Sequence, residues 1–206
     1  MALIKSYCGK SPRWGKGCYF SENATIVGDV VLGDDCSVWF NAVVRGDVAP
    51  IRIGDRTNIQ DCSCVHVTLD VGPTNIGNDV TIGHNVTVHA CTIHDGALIG
   101  MGATLLDFCE IGENAIIAAG ALVLQHTKVG PGELWGGVPA RFIKMAAEGM
   151  SRTNAAHYVE YSKNYLEESD ARSYCSTGRR KISVQTPKRS NFPIKSISRV
   201  QKAWVR

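Results

Sequence analysis

Aromatic residues make up only 7% of this 206-residue chain, although 44% of it is hydrophobic. Large rings dominate the burial of most globular cores, so their scarcity points to a core built from small aliphatic side chains. No apolar run approaches the roughly 18 residues that a membrane-spanning helix needs, and no charged-then-apolar leader opens the chain at Met1–Ser11. Eight cysteines are present without a Cys-x-x-Cys pair, and Cys36, Cys62, Cys64, Cys91 and Cys109 fall inside a repeat where a free thiol is an ordinary small residue. A reduced, cytoplasmic protein without a membrane partner is therefore expected. Acid is missing from the end of the chain: residues 171–206 hold ten Lys or Arg and no Asp or Glu. Such a footprint raises nucleic-acid binding, but no groove-reading motif accompanies it, and only Tyr174, Phe192 and Trp204 could stack. A disordered, solubilising tail from Arg172 is the expectation, with nucleic acid not a partner.

What the chain does have is a six-residue beat of aliphatic residues. Ile26, Leu32, Val38 and Val44 keep it, it resumes at Ile53, Ile59 and Val65, and again at Ile76, Ile82 and Val88. A five-residue step leads to Ile93, followed by Ile99, Leu105, Ile111, Ile117, Val123 and Val129. This period fits neither an amphipathic helix nor an alternating strand. It fits a parallel β-helix in which three hexads close one triangular coil and stacked coils share an apolar column. Val48-Ala49-Pro50 and Thr68–Thr74 interrupt the beat and are expected to leave the coil as external loops. Gly130-Pro131-Gly132 and Gly136-Gly137-Val138-Pro139-Ala140 read as loop punctuation. A helix capped by Ser151 is expected over Ser151–Glu168, with Ala155, Tyr158, Val159, Ser162 and Tyr165-Leu166 on the face that packs along the solenoid. The divisions are a lead-in over 1–16, the repeat over 17–137, a linker and C-terminal helix over 138–170, and the basic tail over 171–206.

The register places three histidines. If Ile26 starts face A of the coil, Val44, Val65 and Val88 also lie on A, so Arg45, His66 and His89 stack at the 4.7–4.9 Å spacing of neighbouring strands. Asp61 and His84 occupy equivalent positions after face C. One chain therefore does not bring the three rings to one atom, but face A of one subunit meeting face C of the next would, and that heterologous contact closes into a trimer. Three imidazoles with an open fourth position make a hydrolytic-type zinc centre. His94, His126 and His157 are expected to be ordinary solvated or hydrogen-bonded side chains.

At these residues the chain resembles the γ-class carbonic anhydrases and their bacterial relatives. The matching strings are Arg45-Gly46-Asp47, Asn58-Ile59-Gln60-Asp61, His66 and Gly83-His84-Asn85-Val86-Thr87-Val88-His89. The resemblance covers roughly residues 15–168 and implies a mainly β protein, a left-handed parallel β-helix with a C-terminal α-helix alongside. It implies a homotrimer holding Zn2+, or another divalent metal such as Fe2+ or Co2+, on His66 and His89 of one subunit and His84 of the next. Arg45, Asp47 and Asp61 match residues of interface ion pairs, Gln60 one that holds a metal-bound hydroxide, and Asn58 one that lines the pocket. Tyr158 has two readings, a pocket tyrosine of the family or a core residue of the helix. The implied reaction is reversible hydration of CO2 to bicarbonate. Active relatives carry acidic proton-shuttle residues where this chain has Val48 and Leu69, with Asp70 next door, so slow or absent turnover is part of the expectation. Two other readings remain open: a hexapeptide acyltransferase using acyl-CoA and one histidine as base, and a non-catalytic trimeric scaffold.

Overall fold

The computed structural model describes residues 1–147 and 149–175. Its backbone register follows the six-residue beat. Along face A, Ile26 pairs with Val44, Val44 with Val65, Val65 with Val88, Val88 with Leu105 and Leu105 with Val123, all parallel. Leu32, Ile53, Ile76, Ile93, Ile111 and Val129 form face B in the same way. Val38, Ile59, Ile82, Ile99 and Ile117 form face C. The result is a parallel β-solenoid of about seven turns. From Ile26 to Val129 these inward residues are all at most 5% exposed. Each contributes about 1.5–3 kcal/mol by leaving water, and each does so only through the coils above and below it.

The solenoid begins before the beat does. Leu3–Lys5, Arg13–Trp14 and Tyr19–Phe20 pair in parallel with Thr25–Val27, Val31–Leu32 and Ser37–Val38, so the lead-in over 1–16 supplies most of a first coil. At the other end Trp135 continues face C beside Ile117. Glu133–Gly137 then folds back antiparallel onto Ala140–Met145, so the glycine-rich segment read as loop punctuation is a hairpin.

The two insertions differ. Thr68–Thr74 leaves the coil as expected, with Leu69, Asp70 and Val71 exposed and its base closed by reciprocal Thr68–Gly72 backbone hydrogen bonds of 2.9 and 3.1 Å. Val48-Ala49-Pro50 does not. It stays within one long strand, Val43–Ile53, while the partner strand Thr25–Leu32 slips register between Gly28 and Val30. Ala49 and Ile51 are buried, which holds the extra residues against the core. Gly28, with φ of 80°, makes the slip possible, because a Cβ there would lie 2.3 Å from the Gly46 carbonyl oxygen.

The corner between faces B and C is regular. Asp34, Asp55, Asn78 and Asp95 each turn a side-chain oxygen to the preceding coil, accepting the backbone N–H of Lys16, Asp34, Asp55 and Asn78 at 2.7–2.8 Å. Glycine stands just before Asp34, Asp55 and Asn78 because the ladder fills its space, while His94 precedes Asp95. A Cβ on Gly77 would sit 2.2 Å from Asp95 Oδ1 and 2.7 Å from its backbone nitrogen. Hydrogen bonds from the Asn78 backbone and then its side chain hold the Asp95 carboxyl below the ordinary range, against its partial burial.

The helix runs Met150–Cys175, longer at both ends than expected; the capping assigned to Ser151 lies outside the described side chains. Ala155 and Ser162 are buried, and the Tyr158 and Tyr165 rings lie 5.4 and 5.3 Å from Trp39, the residue after Val38 on face C. Arg152 ties the helix to the B–C corner, donating to Asn114 Oδ1 at 2.9 Å and Glu113 at 3.1 Å. The helix thus reaches four more residues into the segment expected to be disordered, and the rest of the basic tail lies outside the described residues. Among the described residues no helix is long and apolar enough to cross a membrane.

Candidate metal centre

The A–B corner lacks the regularity of its neighbour and carries two of the three histidines. His89 is the register partner of His66, with ring centroids 5.1 Å apart. His66 Nδ1 faces His89 Nε2 at 3.1 Å, and each ring's other nitrogen meets a carboxylate. His66 Nε2 lies 3.1 Å from Asp47 Oδ1, and His89 Nδ1 lies 2.7 Å from Asp107 Oδ1. A neutral imidazole has one N–H and one lone pair. With both N–H groups donated outward to carboxylates, two lone pairs point at each other. That arrangement repels unless a proton or a cation lies between. Two nitrogens on one tetrahedral zinc at 2.0–2.1 Å stand about 3.4 Å apart, so the pair fits half of such a centre. Burial lowers the pKa of His66 despite the pull of Asp47, which favours the neutral, ligating form.

Asp47 reaches His66 from the long strand that absorbs the first insertion, and its second oxygen takes an ion pair from Arg45. Burial opposes ionisation of this carboxyl, but hydrogen bonds from Arg45 and His66 outweigh it and hold its pKa down. His84 stands apart at the C–A corner, its Nδ1 2.8 Å from Asp61 Oδ2, with the side chain 44% exposed. Among the described residues no group of three His, Cys, Asp or Glu is placed to hold a metal ion within the single chain. Arg45, Asp47 and Asp61, matched to ion pairs between subunits, here find partners within their own chain.

Beside His84, Asn58 and Gln60 are buried. Asn58 Nδ2 donates to Thr81 Oγ1 at 3.0 Å, and Gln60 Nε2 donates to Asn58 Oδ1 at 3.1 Å. The ladder orients both amides. Tyr158 packs on Trp39 and Tyr161. Burial, reinforced by the Asp61 carboxylate, raises its pKa to about 12. It is a packing residue of the helix within the field of Asp61. Asp70, exposed on the insertion loop, donates its backbone N–H to the Val48 carbonyl at 3.2 Å, which brings together the two stretches lacking an acidic shuttle. His94 pairs with Glu110 at 2.9 Å, His126 stacks on Phe108 and His157 on Tyr161.

Asp107 joins the site without having been expected there. It accepts from Thr68 Oγ1 at 2.5 Å as well as facing His89, and Gln125 Nε2 reaches its second oxygen at 3.3 Å. The hydrogen bond from Thr68 is the main reason its carboxyl titrates below the ordinary range. A signal existed: Asp107 lies two residues after Leu105, the face-A successor of Val88, and so one coil beyond His89.

A parallel solenoid with this beat defines the class of hexapeptide-repeat proteins. The bacterial transferase hexapeptide model (six repeats) matches residues 73–107 and 90–125. The chain is 42% identical to a carbonic anhydrase of Geobacillus kaustophilus, over 84% of this chain and 97% of that one. It is 41% identical to Gamma carbonic anhydrase 2, mitochondrial, of Arabidopsis thaliana over 76% of this chain, and spans 57% of that relative's length. Among solved structures it is similar to a candidate acetyltransferase of Bacillus cereus (42% identity, 80% and 96% coverage, TM-score 0.76). It is also similar to a hexapeptide transferase family protein of Anaplasma phagocytophilum (39% identity, 79% and 98% coverage, TM-score 0.74). The chain belongs to the γ-carbonic anhydrase family of hexapeptide-repeat proteins.

Proposed function

We propose that the protein catalyses reversible hydration of CO2 as a cytoplasmic homotrimer. A divalent metal, zinc in the first place and Fe2+ or Co2+ as alternatives, would be held by His66 and His89 of one subunit and His84 of the next. The observation that carries this reading is the pair of facing nitrogens 3.1 Å apart, each ring braced from behind by a carboxylate. A metal bound there supplies a Lewis acid that makes water nucleophilic near neutral pH. The chain's own residues do the rest. Asp47 and Asp61 hold the rings of His66 and His84 in their ligating tautomers, and Arg45 offsets the charge of Asp47. Asn58 anchors Gln60 through its Nε2, which leaves the Gln60 carbonyl oxygen to accept a hydrogen bond from the attacking water. Val48 and Leu69 offer no acid to carry the proton away, so an external buffer takes it and turnover depends on buffer concentration.

Metal analysis followed by a CO2 hydration assay in a small, permeant buffer tests the proposal. About one metal per subunit with buffer-dependent turnover is expected; no metal in the purified protein, and none gained on adding zinc, contradicts it. The names of the two solved relatives favour a second reading, an acyl-CoA-dependent transferase using one histidine as base. Saturable binding of acetyl-CoA by the metal-free protein would favour that reading; its absence removes it.

A further inference from the structure

Asp107 has no part in the aliphatic beat. It stands outside the aliphatic column, on the coil beyond His89, and three side chains converge on it. Thr68 and His89 share Oδ1 at 2.5 and 2.7 Å, and Gln125 takes Oδ2 at 3.3 Å. The loop from which Thr68 comes does not need this contact to close, since Thr68 and Gly72 exchange two backbone hydrogen bonds and Thr74 Oγ1 donates to the His66 carbonyl at 2.6 Å. Asp47 braces His66 in the same manner from the other side of the pair, with Arg45 in the part of Thr68.

We propose that Asp107 is the positioning residue of His89: by accepting the Nδ1–H it fixes the tautomer and turns the Nε2 lone pair toward His66, and Thr68 and Gln125 hold the carboxylate for that task. The inference rests on the metal-centre reading for its consequence. Its physical content, the tautomer of His89, belongs to the chain alone. A carboxylate behind a ligating imidazole orients it and raises its basicity, and loss of such a partner lowers metal affinity about 10–100-fold. A threonine hydroxyl that occupies one lone pair of the same oxygen keeps the carboxylate from rotating away. Asp47 lies directly before the first insertion and Thr68 opens the second, so both braces of the histidine pair draw on residues beside the interruptions of the beat.

The test compares wild type, Asp107→Ala, Thr68→Val, Thr68→Ser and His66→Ala as full chains, with zinc alone as the probe. Zinc affinity is read by chelator competition, and the His89 tautomer by imidazole nitrogen chemical shifts in metal-free protein. Expected is a drop in zinc affinity of about 10–100-fold for Asp107→Ala, with His89 passing from a single Nδ1–H tautomer to a mixture. Thr68→Val should lose less, and Thr68→Ser should behave as wild type. If Asp107→Ala keeps both wild-type affinity and the Nδ1–H tautomer while His66→Ala loses zinc, the metal centre stands and the role of Asp107 is overturned. If wild type binds no zinc, the centre itself fails, and the tautomer comparison still decides what Asp107 does. Should Asp107→Ala not fold, the Thr68 pair carries the test: an unchanged His89 tautomer in Thr68→Val with unchanged affinity rejects the proposal.

Discussion

The corner between faces B and C and the corner between faces A and B are built with the same group, an aspartate carboxylate, and use it in opposite directions. At the B–C corner Asp34, Asp55 and Asp95 spend their oxygens on backbone N–H groups of the neighbouring coil. At the A–B corner Asp47 and Asp107 face imidazoles, and the coil length there is broken by both insertions and the five-residue step. At the B–C corner regular spacing commits the carboxylates to the backbone, whereas the equally regular C–A corner leaves Asp61 to face His84. At the A–B corner the carboxylates turn to imidazoles instead, Asp47 directly before an insertion and Asp107 within an unbroken hexad.

Breaking each corner in turn should separate the two uses. The largest expected effect on the irregular corner comes from His66→Ala, which should take bound zinc from about one per subunit to near zero while the circular dichroism of the solenoid stays unchanged, because His66 lies outside the apolar column. Metal content equal to wild type would remove His66 from the ligand set. On the regular corner, Gly77→Ala forces a Cβ against Asp95 and should destabilise by about 1–3 kcal/mol, lowering the melting temperature without touching zinc affinity. An unshifted melting curve would show that the ladder yields without cost. Asp95→Ala should be milder, about 1 kcal/mol, and Asp95→Asn milder again because an amide oxygen can still accept the Asn78 N–H.

The smallest expected effect is a pH dependence. Asp95 and Asp29 both have depressed folded-state pKa values, Asp95 through Asn78 and Asp29 through Arg52 and Lys10. A folded pKa below the unfolded value contributes stability that is present above the ordinary carboxylate value of 3.8 and is lost as pH falls from there through the folded value. Thermal melts below that pH should show the wild type losing stability more steeply than the Asp95→Asn variant. Parallel curves would mean that Asp95 gains nothing from its ladder.

The hexad beat made the coil order, the inward columns and the stacking of His66 on His89 readable before any coordinates, because in a β-helix spacing alone fixes direction. It could not reveal the first coil, whose register positions Ile4, Trp14 and Phe20 come ten and six residues apart, nor the terminal hairpin, whose second strand Ala140–Met145 pairs antiparallel. The first insertion misled because burial of Ala49 and Ile51 kept it in a strand. Asp107 was missed for a related reason. Its partner Thr68 is 39 residues away, in the other insertion, and only the folded loop brings the hydroxyl to the carboxylate.

A mixing experiment tests most directly whether the candidate site belongs to two subunits rather than to one chain. His66→Ala and His84→Ala should each bind no zinc as homotrimers. Denatured together and refolded as mixed trimers, they should recover about a quarter of the wild-type zinc, since an intact face A from one variant then meets an intact face C from the other. No recovery from mixed trimers, with wild type refolded alongside regaining its metal, would contradict the claim.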